Sequence, residues 1–553
     1  MRRARTAVAA VLLVVGLAAC GGLPTSSGVT LVRTIAGAAD SAGPEVRVLP
    51  PLPAAGAAPD AIVQGFLNAQ ADSEDDYAIA REYLAPGTTW ATSGTAQVYA
   101  ALSVPTTDRP GSTVSVKASL TMAATLGDDG TYVPQQGTTS QTYQLRKVGG
   151  EWRISALPQG LTITTGDLQR GYVSSTLWWF TPGFTRLVPE IRWLPESPTG
   201  RQTQLVRALL GGPGKGLAPV VRTAAPSGVS LEGSVSDQGN AVVVDLSRQA
   251  ASLTAARARD LLLQLAQTLQ QVPTATRVRL LVDGQPLPAV GDPQQIATSV
   301  VASYNPDTVA PSVPPVGIRG GSVVALPGPG RLPPKALAVL AGQTVTHAVP
   351  APDGAAIAAD TPTGVVVATA EGSLRTVSDD PGASLSWTID GTLAVGTPDA
   401  LLLVPPAGGT TRIAYPAPLA GQVTDARIAR DGVRVLAVAG GVAYVLGIAG
   451  GTFGPAAAIS PGLGAVTAAS WQTASSVALL SSLPGQPLAL STAQVDGSQV
   501  DTIPLPTGFT TGVTVAAGPG SPLLVGYGDV VEQLTAADGW FRLASAASPA
   551  VAG

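Results

Sequence analysis

The spacing of hydrophobic residues changes once between residues 59 and 165, and this change separates helices from strands. The first apolar residues recur at the spacing of one helix face: Ile62, Val63, Phe66 and Leu67. From Val114 to Met122 every second residue is apolar, which is the pattern of a strand with one buried face. The segment YQLRKVGGEWRIS then predicts a hairpin that turns at Gly149-Gly150. We therefore predict an α+β domain over residues 59–165.

An acidic run, Ser73 to Asp76, lies between the first helix and the strands. We favour the start of a second helix, with Ser73 as the cap and the carboxylates near the positive end of the helix dipole. A calcium site is the alternative. Pro86-Gly87 would end this helix. Two helices followed by a curved antiparallel sheet resemble the nuclear-transport-factor-2-like (NTF2-like) fold, which implies a cone with a pocket, although no acid–base pair stands out there.

The stretch ALLGGPGKGLAP, residues 208–219, has the glycines and the lysine of a phosphate-binding loop but not their arrangement. A Walker A loop needs Ser or Thr after its lysine, and Lys215 is followed by Gly216. Its first glycine would fall at Leu209. The apolar helix also comes before the glycines, whereas a phosphate loop places its helix after them. We therefore predict a helix C-cap and turn, in which glycine supplies the left-handed backbone and proline prevents continuation.

Strands and helices alternate around this stretch, over residues 172–291. Leu253 to Val272 predicts an amphipathic helix that Pro273 ends. Its buried stripe would comprise Leu261, Leu262, Leu265, Leu269 and Val272. The segment RVRLLVDGQPLP predicts the following strand and turn. This alternation is typical of an α/β sheet domain.

Several motifs of this segment resemble the GerMN domain of sporulation and germination proteins and of envelope lipoproteins. The family pattern is a strand with aromatics, a Leu-Val-Pro-Glu-x-Arg turn, a helix that ends in Leu-Leu-x-Gly-Pro, a Pro-x-Gly turn, and a strand that closes in Val-Asp-Leu-Ser. This sequence supplies the motifs at Leu187–Arg192, Leu209–Pro213, Pro226–Gly228 and Val244–Ser247. The polar residues in these motifs are Glu190, Arg192 and Asp245, for which we favour turn hydrogen bonds and an ion pair over catalysis.

A Pro-rich linker, residues 292–315, leads to a segment of short apolar runs broken by Gly, Pro and Asp-Gly. Five units of strand, tight turn and apolar strand align there, with Asp353, Asp390 and Asp431 in three of the turns. Trp387 and Trp471 take matching positions in two units. The spacing of about 40 residues is typical of propeller blades, so we predict an all-β propeller of five to six blades over residues 316–550. An Asp-Gly turn explains the aspartates without a metal.

The N-terminus predicts export and a lipid anchor. Arg2, Arg3 and Arg5 precede an apolar run from Val8 to Ala19 that is shorter than a membrane span. Leu-Ala-Ala-Cys, which ends at Cys20, resembles a bacterial lipobox, and Cys20 is the only cysteine of the chain. We predict a signal peptide over residues 1–19, lipidation of Cys20 by acyl chains such as palmitate, and a flexible tether over residues 20–58.

Composition argues against several classes of function. A formal net charge of -4 without basic clusters gives no support to nucleic-acid binding. His347 is the only histidine and Cys20 is committed to lipid, so we predict no metal, no cofactor and no catalytic triad. A glycoside hydrolase with two carboxylates stays open, because the distance between two carboxylates cannot be read from a sequence.

The order of lipobox, NTF2-like domain, GerMN domain and propeller resembles the LpqB family of actinobacterial lipoproteins. The resemblance implies a non-enzymatic protein, lipid-anchored at the extracytoplasmic face of the cell membrane. It also implies an accessory role in the MtrA–MtrB two-component system, through contact with the extracellular domain of the sensor histidine kinase MtrB, with effects on cell envelope and division. A protein that binds or processes peptidoglycan through the GerMN or N-terminal domain is the alternative.

Overall fold

The structure is a computed structural model that describes residues 50–106, 111–196, 200–239, 241–273, 275–287, 295–308, 312–510, 512–535 and 539–552. The predicted signal peptide, Cys20 and the tether as far as residue 49 lie outside the described residues. Within these ranges, no helix is both long enough and apolar enough to cross a membrane.

The N-terminal α+β domain has two helices on a six-stranded sheet. Its elements are α1 (Pro59–Ala69), α2 (Ala78–Arg81), β1 (Ala96–Ser103), β2 (Thr113–Leu126), β3 (Tyr132–Pro134), β4 (Thr138–Val148), β5 (Glu151–Ala156) and β6 (Thr162–Thr164). The sheet order is β5-β4-β2-β1-β6, and β3 pairs with β2. The hairpin predicted at Gly149-Gly150 joins β4 to β5. Phe66 of α1 packs against Trp90 and Tyr143, with ring centroids 5.0 and 6.1 Å apart, so aromatic side chains lie between the helix and the sheet.

The second helix differs from the expectation. It begins only after Tyr77, and Asp75, Asp76 and Tyr77 all have positive φ, so Ser73 does not cap it. Asp76 instead forms an ion pair with Arg81, in which Oδ2 and Nη2 are 2.6 Å apart. The three left-handed residues turn the chain before helical geometry begins, and this delays the helix by several residues.

The GerMN segment contains a two-stranded ribbon and a second sheet. Its elements are α3 (Thr165–Gly171), β7 (Tyr172–Phe180), β8 (Leu187–Pro195), α4 (Arg201–Leu210), β9 (Ser236–Gln238), β10 (Ala241–Leu246), a 3₁₀ helix (Arg248–Ser252), α5 (Ala255–Leu269), β11 (Arg277–Val282), β12 (Gln285–Pro286), β13 (Gln295–Ala297) and two further 3₁₀ helices (Thr298–Tyr304 and Pro306–Thr308). The strands β10 and β11 pair in parallel and α5 connects them, which makes a βαβ unit. The predicted stripe residues Leu261, Leu262, Leu265 and Leu269 are buried.

The predicted turn at Leu187-Val188-Pro189-Glu190 is wrong, because these residues form the first half of β8. The chain turns earlier, between Phe180 and Leu187, and Pro189 pairs with Trp178 of β7. Proline is tolerated in this strand because β7 and β8 form a ribbon of only two strands, which leaves each strand one free edge.

The third region is a β-propeller of six sheets in the described residues. Its elements are β14 (Val316–Arg319), β15 (Ser322–Ala325), α6 (Pro334–Leu340), β16 (His347–Pro350), β17 (Ala356–Thr361), β18 (Gly364–Thr369), β19 (Leu374–Ser378), β20 (Ser384–Trp387), β21 (Leu393–Gly396), β22 (Ala400–Val404), β23 (Thr411–Ala414), β24 (Val423–Ile428), β25 (Arg434–Ala439), β26 (Val442–Ala449), β27 (Thr452–Phe453), β28 (Ala457–Ala458), β29 (Ala465–Thr473), β30 (Ser476–Ser482), β31 (Ala489–Gln494), β32 (Asp501–Ile503), β33 (Thr514–Gly518), β34 (Ser521–Tyr527), β35 (Val530–Thr535), β36 (Gly539–Ala544) and β37 (Ala547–Ala550).

We number the sheets as blades in chain order. Blade 1 is β15-β14-β37, and blades 2 to 6 begin with β16, β20, β24, β29 and β33. Because β37 pairs with β14, the end of the chain closes the ring. The strands β16, β20, β24, β29, β33 and β37 contact one another in turn around a central channel. The described residues therefore form six blades, which is the higher of the two numbers predicted from the sequence.

The two matching tryptophans have the same role in their blades. Trp387 Nε1 donates to the Val349 carbonyl at 3.0 Å, and Trp471 Nε1 donates to the Arg427 carbonyl at 2.9 Å. Each bond joins an innermost strand to the innermost strand of the preceding blade. The repeat inferred from their spacing therefore corresponds to a repeated contact between blades.

Candidate functional site

The glycine-rich stretch after α4 binds a carboxylate that belongs to the protein itself. The helix ends at Leu210, Gly212 has φ of 89°, and the Gly214 amide donates to Glu190 Oε1 at 2.9 Å. A Cβ atom on Gly214 would lie 2.5 Å from that oxygen, so the close approach requires glycine. The C-cap prediction agrees with this geometry, and the Gly214 amide is already bonded to Glu190.

Glu190 and Arg192 form the predicted ion pair, which is buried where the N-terminal and GerMN domains meet. Arg192 Nη2 contacts Glu190 Oε2 at 2.8 Å, and Nη1 contacts Asp129 Oδ2 at 3.1 Å. Trp179 Nε1 also donates to Glu190 Oε2, at 2.8 Å. Burial opposes ionisation of Asp129, but hydrogen bonds from Thr131 and the charge of Arg192 outweigh it and lower the pKa of Asp129. Glu190 therefore accepts hydrogen bonds from three donors and has a structural role.

The third polar residue of the GerMN motifs lies apart from this pair. Both carboxylate oxygens of Asp245 accept the Gly284 amide, at 3.0 Å each. Gly284 lies in the turn between β11 and β12, so Asp245 fixes that turn. The structure thus brings Glu190 and Arg192 together and does not bring Asp245 to them.

The GerMN domain covers one end of the propeller channel through contacts that span long stretches of sequence. Arg186 Nη2 contacts Asp390 Oδ1 at 2.9 Å, in a turn between the first and second strands of a blade. Arg434 Nη1 donates to the Pro189 carbonyl at 3.3 Å. Between the two regions, Asp307 accepts the Ala474 amide at 2.9 Å with each oxygen. We call this end of the channel the covered face.

The buried pair behind one of these contacts was not predicted. Arg434 and Asp431 are almost fully buried, with Nη2 and Oδ2 2.6 Å apart. Asp431 Oδ1 also accepts the Val433 amide, which is the turn role predicted for this aspartate. The sequence carried a signal in the charged run Arg430-Asp431-Gly432-Val433-Arg434, because charges this close to buried strands need partners.

Polar side chains of the innermost strands join neighbouring blades along the channel wall. Ser384 and Ser386 of blade 3 accept the amides of Ala426 and Ile428 in blade 4, both at 2.9 Å. In the same way, Ser470 of blade 5 accepts the Ala517 amide at 3.1 Å. These hydroxyl groups therefore help to hold neighbouring blades together.

A cavity of about 40 Å³ remains inside the channel, between Arg427 and the covered face. Its lining includes Asp307, Ser386, Arg427, Arg430 and Trp471. One water needs about 10–15 Å³ measured in this way, so the cavity holds roughly three waters. It is far smaller than a pocket for a drug-sized molecule, which is several hundred Å³.

The only histidine begins the innermost strand β16, at the other end of the channel. Burial and the nearby positive charge of Arg427 lower the pKa of His347 to about 4, and Asp425 opposes this shift. His347 is therefore neutral at physiological pH. In the described part of the chain no hydroxyl is hydrogen-bonded to its ring, and no group of three or more His, Cys, Asp or Glu side chains could hold a metal ion.

The channel end opposite the GerMN domain carries exposed acidic and apolar side chains. Asp379 and Asp380 follow the last strand of blade 2, while Asp399 and Asp529 lie in turns between second and third strands. Tyr527 is 37% exposed at the end of β34. We call this end the open face.

Three protein-family models match the chain from residue 52 to residue 552, with short gaps between them. They are "Lipoprotein LpqB, N-terminal domain" over residues 52–169, "Sporulation and spore germination" over residues 176–288, and "Lipoprotein LpqB beta-propeller domain" over residues 318–552. The fold defines a multidomain protein with an α+β domain, a GerMN domain and a β-propeller. The chain belongs to the lipoprotein LpqB family.

Individual relatives agree with this assignment. The chain is 33% identical to lipoprotein LpqB of Cutibacterium acnes over 315 residues, which are 55% of this chain and 51%, or about half, of that relative. It is 28% identical to lipoprotein LpqB of Rhodococcus opacus, over 91% of this chain and 89% of the relative. A solved virginiamycin B lyase from Staphylococcus aureus is 11% identical, with a TM-score of 0.30 over 42% of this chain and 85% of the lyase. Such a score carries no conclusion about activity.

Proposed function

We propose that this protein is a non-enzymatic accessory lipoprotein that binds the extracellular sensor domain of an MtrB-type histidine kinase and modulates its signalling, with effects on cell envelope and division. Membership of the lipoprotein LpqB family supports the general class. The observation that carries the proposal is the asymmetry of the propeller, in which one face is covered by the GerMN domain and the other is open. An open propeller face offers room for a partner protein.

The interior of the molecule supports binding over catalysis. A cluster of buried apolar side chains lies inside the N-terminal domain, and the channel cavity is of water size. The polar residues of the GerMN motifs are engaged with one another or with backbone. A binding protein can act on a kinase only by preferring one of its states, because a partner with equal affinity for both states shifts nothing.

The proposed anchor brings the protein to the surface where such a sensor domain is exposed. Lipidation at Cys20 and export by residues 1–19 would hold it at the extracytoplasmic face of the membrane. The flexible tether predicted from the sequence for residues 20–58 would give the domains reach from the surface, since a flexible linker of n residues spans about 5–6 Å × √n. Confinement to one membrane also raises the effective concentration of two partners.

A titration tests the proposal. The lipidated chain in nanodiscs is titrated with the soluble sensor domain of the cognate kinase in a calorimeter. We expect saturable binding at micromolar strength or better, which is about -8 kcal/mol or more favourable. Absence of heat at several temperatures would contradict the proposal. Release of fragments from purified peptidoglycan by the same preparation would instead support a cell-wall enzyme.

A further inference from the structure

The open face is defined by the direction of the blade strands. Asp390 contacts Arg186, and Arg434, which follows the equivalent turn of the next blade, donates to the Pro189 carbonyl, so turns between first and second strands point to the GerMN domain. Because neighbouring strands in a blade are antiparallel, turns between second and third strands must lie at the opposite end, together with the connections between blades. Asp399, Asp529 and the Asp379-Asp380 pair belong to these two groups of loops.

The charges on this face are unbalanced. Asp379, Asp380, Asp399 and Asp529 are exposed, and none has an ion-pair partner within the ranges that the structure describes. Arg319 and Arg542 lie at this end of the channel, next to the pairing of β14 with β37 that closes the ring. Arg319 Nε donates to the Ser545 carbonyl at 2.7 Å, and Arg542 Nη2 donates to Ser545 Oγ at 3.0 Å. Among the described residues, blades 2 and 3 therefore present acidic side chains that form no ion pair.

Apolar side chains accompany these charges on blades 5 and 6. Leu483 follows β30 and is 42% exposed, although it is a large hydrophobic residue. Tyr527 stacks obliquely on Phe509 with ring centroids 5.4 Å apart, so Phe509 holds the exposed ring in position. Fixed aromatic residues of this kind are frequent anchors of protein interfaces.

We infer that the open face is the docking surface for the sensor domain, and that the sensor domain meets it with a basic surface and an apolar contact. This inference rests on the proposed function and adds the place and the chemistry of contact. Unpaired aspartates attract a basic partner and repel an acidic one, which gives both a faster encounter and a choice of partner. Leu483 and Tyr527 supply the apolar part.

Charge reversal on the open face tests the inference, with a matched control at the other end of the strands. The test variant is Asp379→Lys/Asp399→Lys. The control is Glu371→Lys/Asp501→Lys, which makes the same change of net charge at two exposed residues: Glu371 lies in the turn before β19, and Asp501 begins β32. Near-ultraviolet circular dichroism and thermal melting check that each full-length lipidated variant is folded before the sensor domain is titrated at 50 and 300 mM salt.

We expect the test variant to bind at least 10-fold more weakly than the unmodified chain at 50 mM salt, and the control to bind within 2-fold. The unmodified chain should lose affinity at 300 mM salt, and the test variant should lose less, because salt weakens the attraction of a basic partner to aspartates and also weakens its repulsion by the introduced lysines. Tyr527→Ala should weaken binding at both salt concentrations.

The titrations distinguish an error in the docking surface from an error in the proposed function. If the unmodified chain binds and the test variant binds equally well, the docking surface lies elsewhere: the inference is wrong and the proposed function stands. If the unmodified chain does not bind the sensor domain at either salt concentration, the proposed function is wrong and the inference falls with it.

Discussion

Replacement of Glu190 by alanine should destabilise the chain strongly, because it removes the acceptor of three buried donors. Trp179 Nε1, the Gly214 amide and Arg192 Nη2 all lose their carboxylate, which they contact at 2.8–2.9 Å. Removing one partner of a buried ion pair costs about 3–5 kcal/mol. Arg192 keeps Asp129 at 3.1 Å, so we take the lower end, about 3 kcal/mol.

Thermal melting measures this loss. A unit of 150–250 residues loses about 2–4 °C per kcal/mol, so the transition that includes the GerMN domain should fall by roughly 6–12 °C. Glu232→Ala is the matched control, since Glu232 is an exposed glutamate of the same domain and a surface change stays within about 0.5 kcal/mol. A fall of less than about 2 °C for Glu190→Ala would refute the structural role assigned to Glu190.

Three further predictions concern other regions of the chain. Burial raises the pKa of Asp496, so the folded state favours its neutral form. The contribution of Asp496 to stability is therefore fully present below its unfolded pKa and is lost as pH rises through its folded pKa, so the melting temperature of Asp496→Asn should fall less over this pH range than that of the unmodified chain, and equal curves would contradict this. The single histidine gives one imidazole NMR signal, whose midpoint should lie near pH 4; a midpoint near 6.5 would show that the His347 ring is solvated. Cys20→Ala should release the protein from the membrane fraction, and unchanged retention would contradict the lipobox prediction.

The spacing of apolar residues was sufficient to predict those elements whose hydrogen-bonding partners are close in sequence. The hairpin between β4 and β5, the helix α5 and the repeat of the blades all follow from apolar spacing and turn residues. Their hydrogen bonds are local, so local sequence contains the information. The GerMN motifs were also located correctly, except that the Leu-Val-Pro-Glu segment is a strand and not a turn. Proline favoured a turn, because the sequence does not show that this strand has a free edge in a two-stranded ribbon.

The site depended on contacts that periodicity does not encode. Arg434 reaches Pro189 across 245 residues, and Asp307 reaches Ala474 across 167 residues. Asp390 was expected to serve its own turn, yet it contacts Arg186 of another domain. Which face of the propeller is covered is set by these few long-range pairs, so the sequence could predict a propeller without predicting where a partner could bind.

The activity of the kinase itself tests the proposed function of this protein most directly. The full-length kinase and the lipidated chain are reconstituted in the same nanodisc, and the rate of autophosphorylation is measured with and without the chain. We predict a saturable change of rate that the Glu371→Lys/Asp501→Lys control retains and the Asp379→Lys/Asp399→Lys variant loses. An unchanged rate at saturating amounts of the unmodified chain would contradict the claim that this protein modulates a sensor kinase.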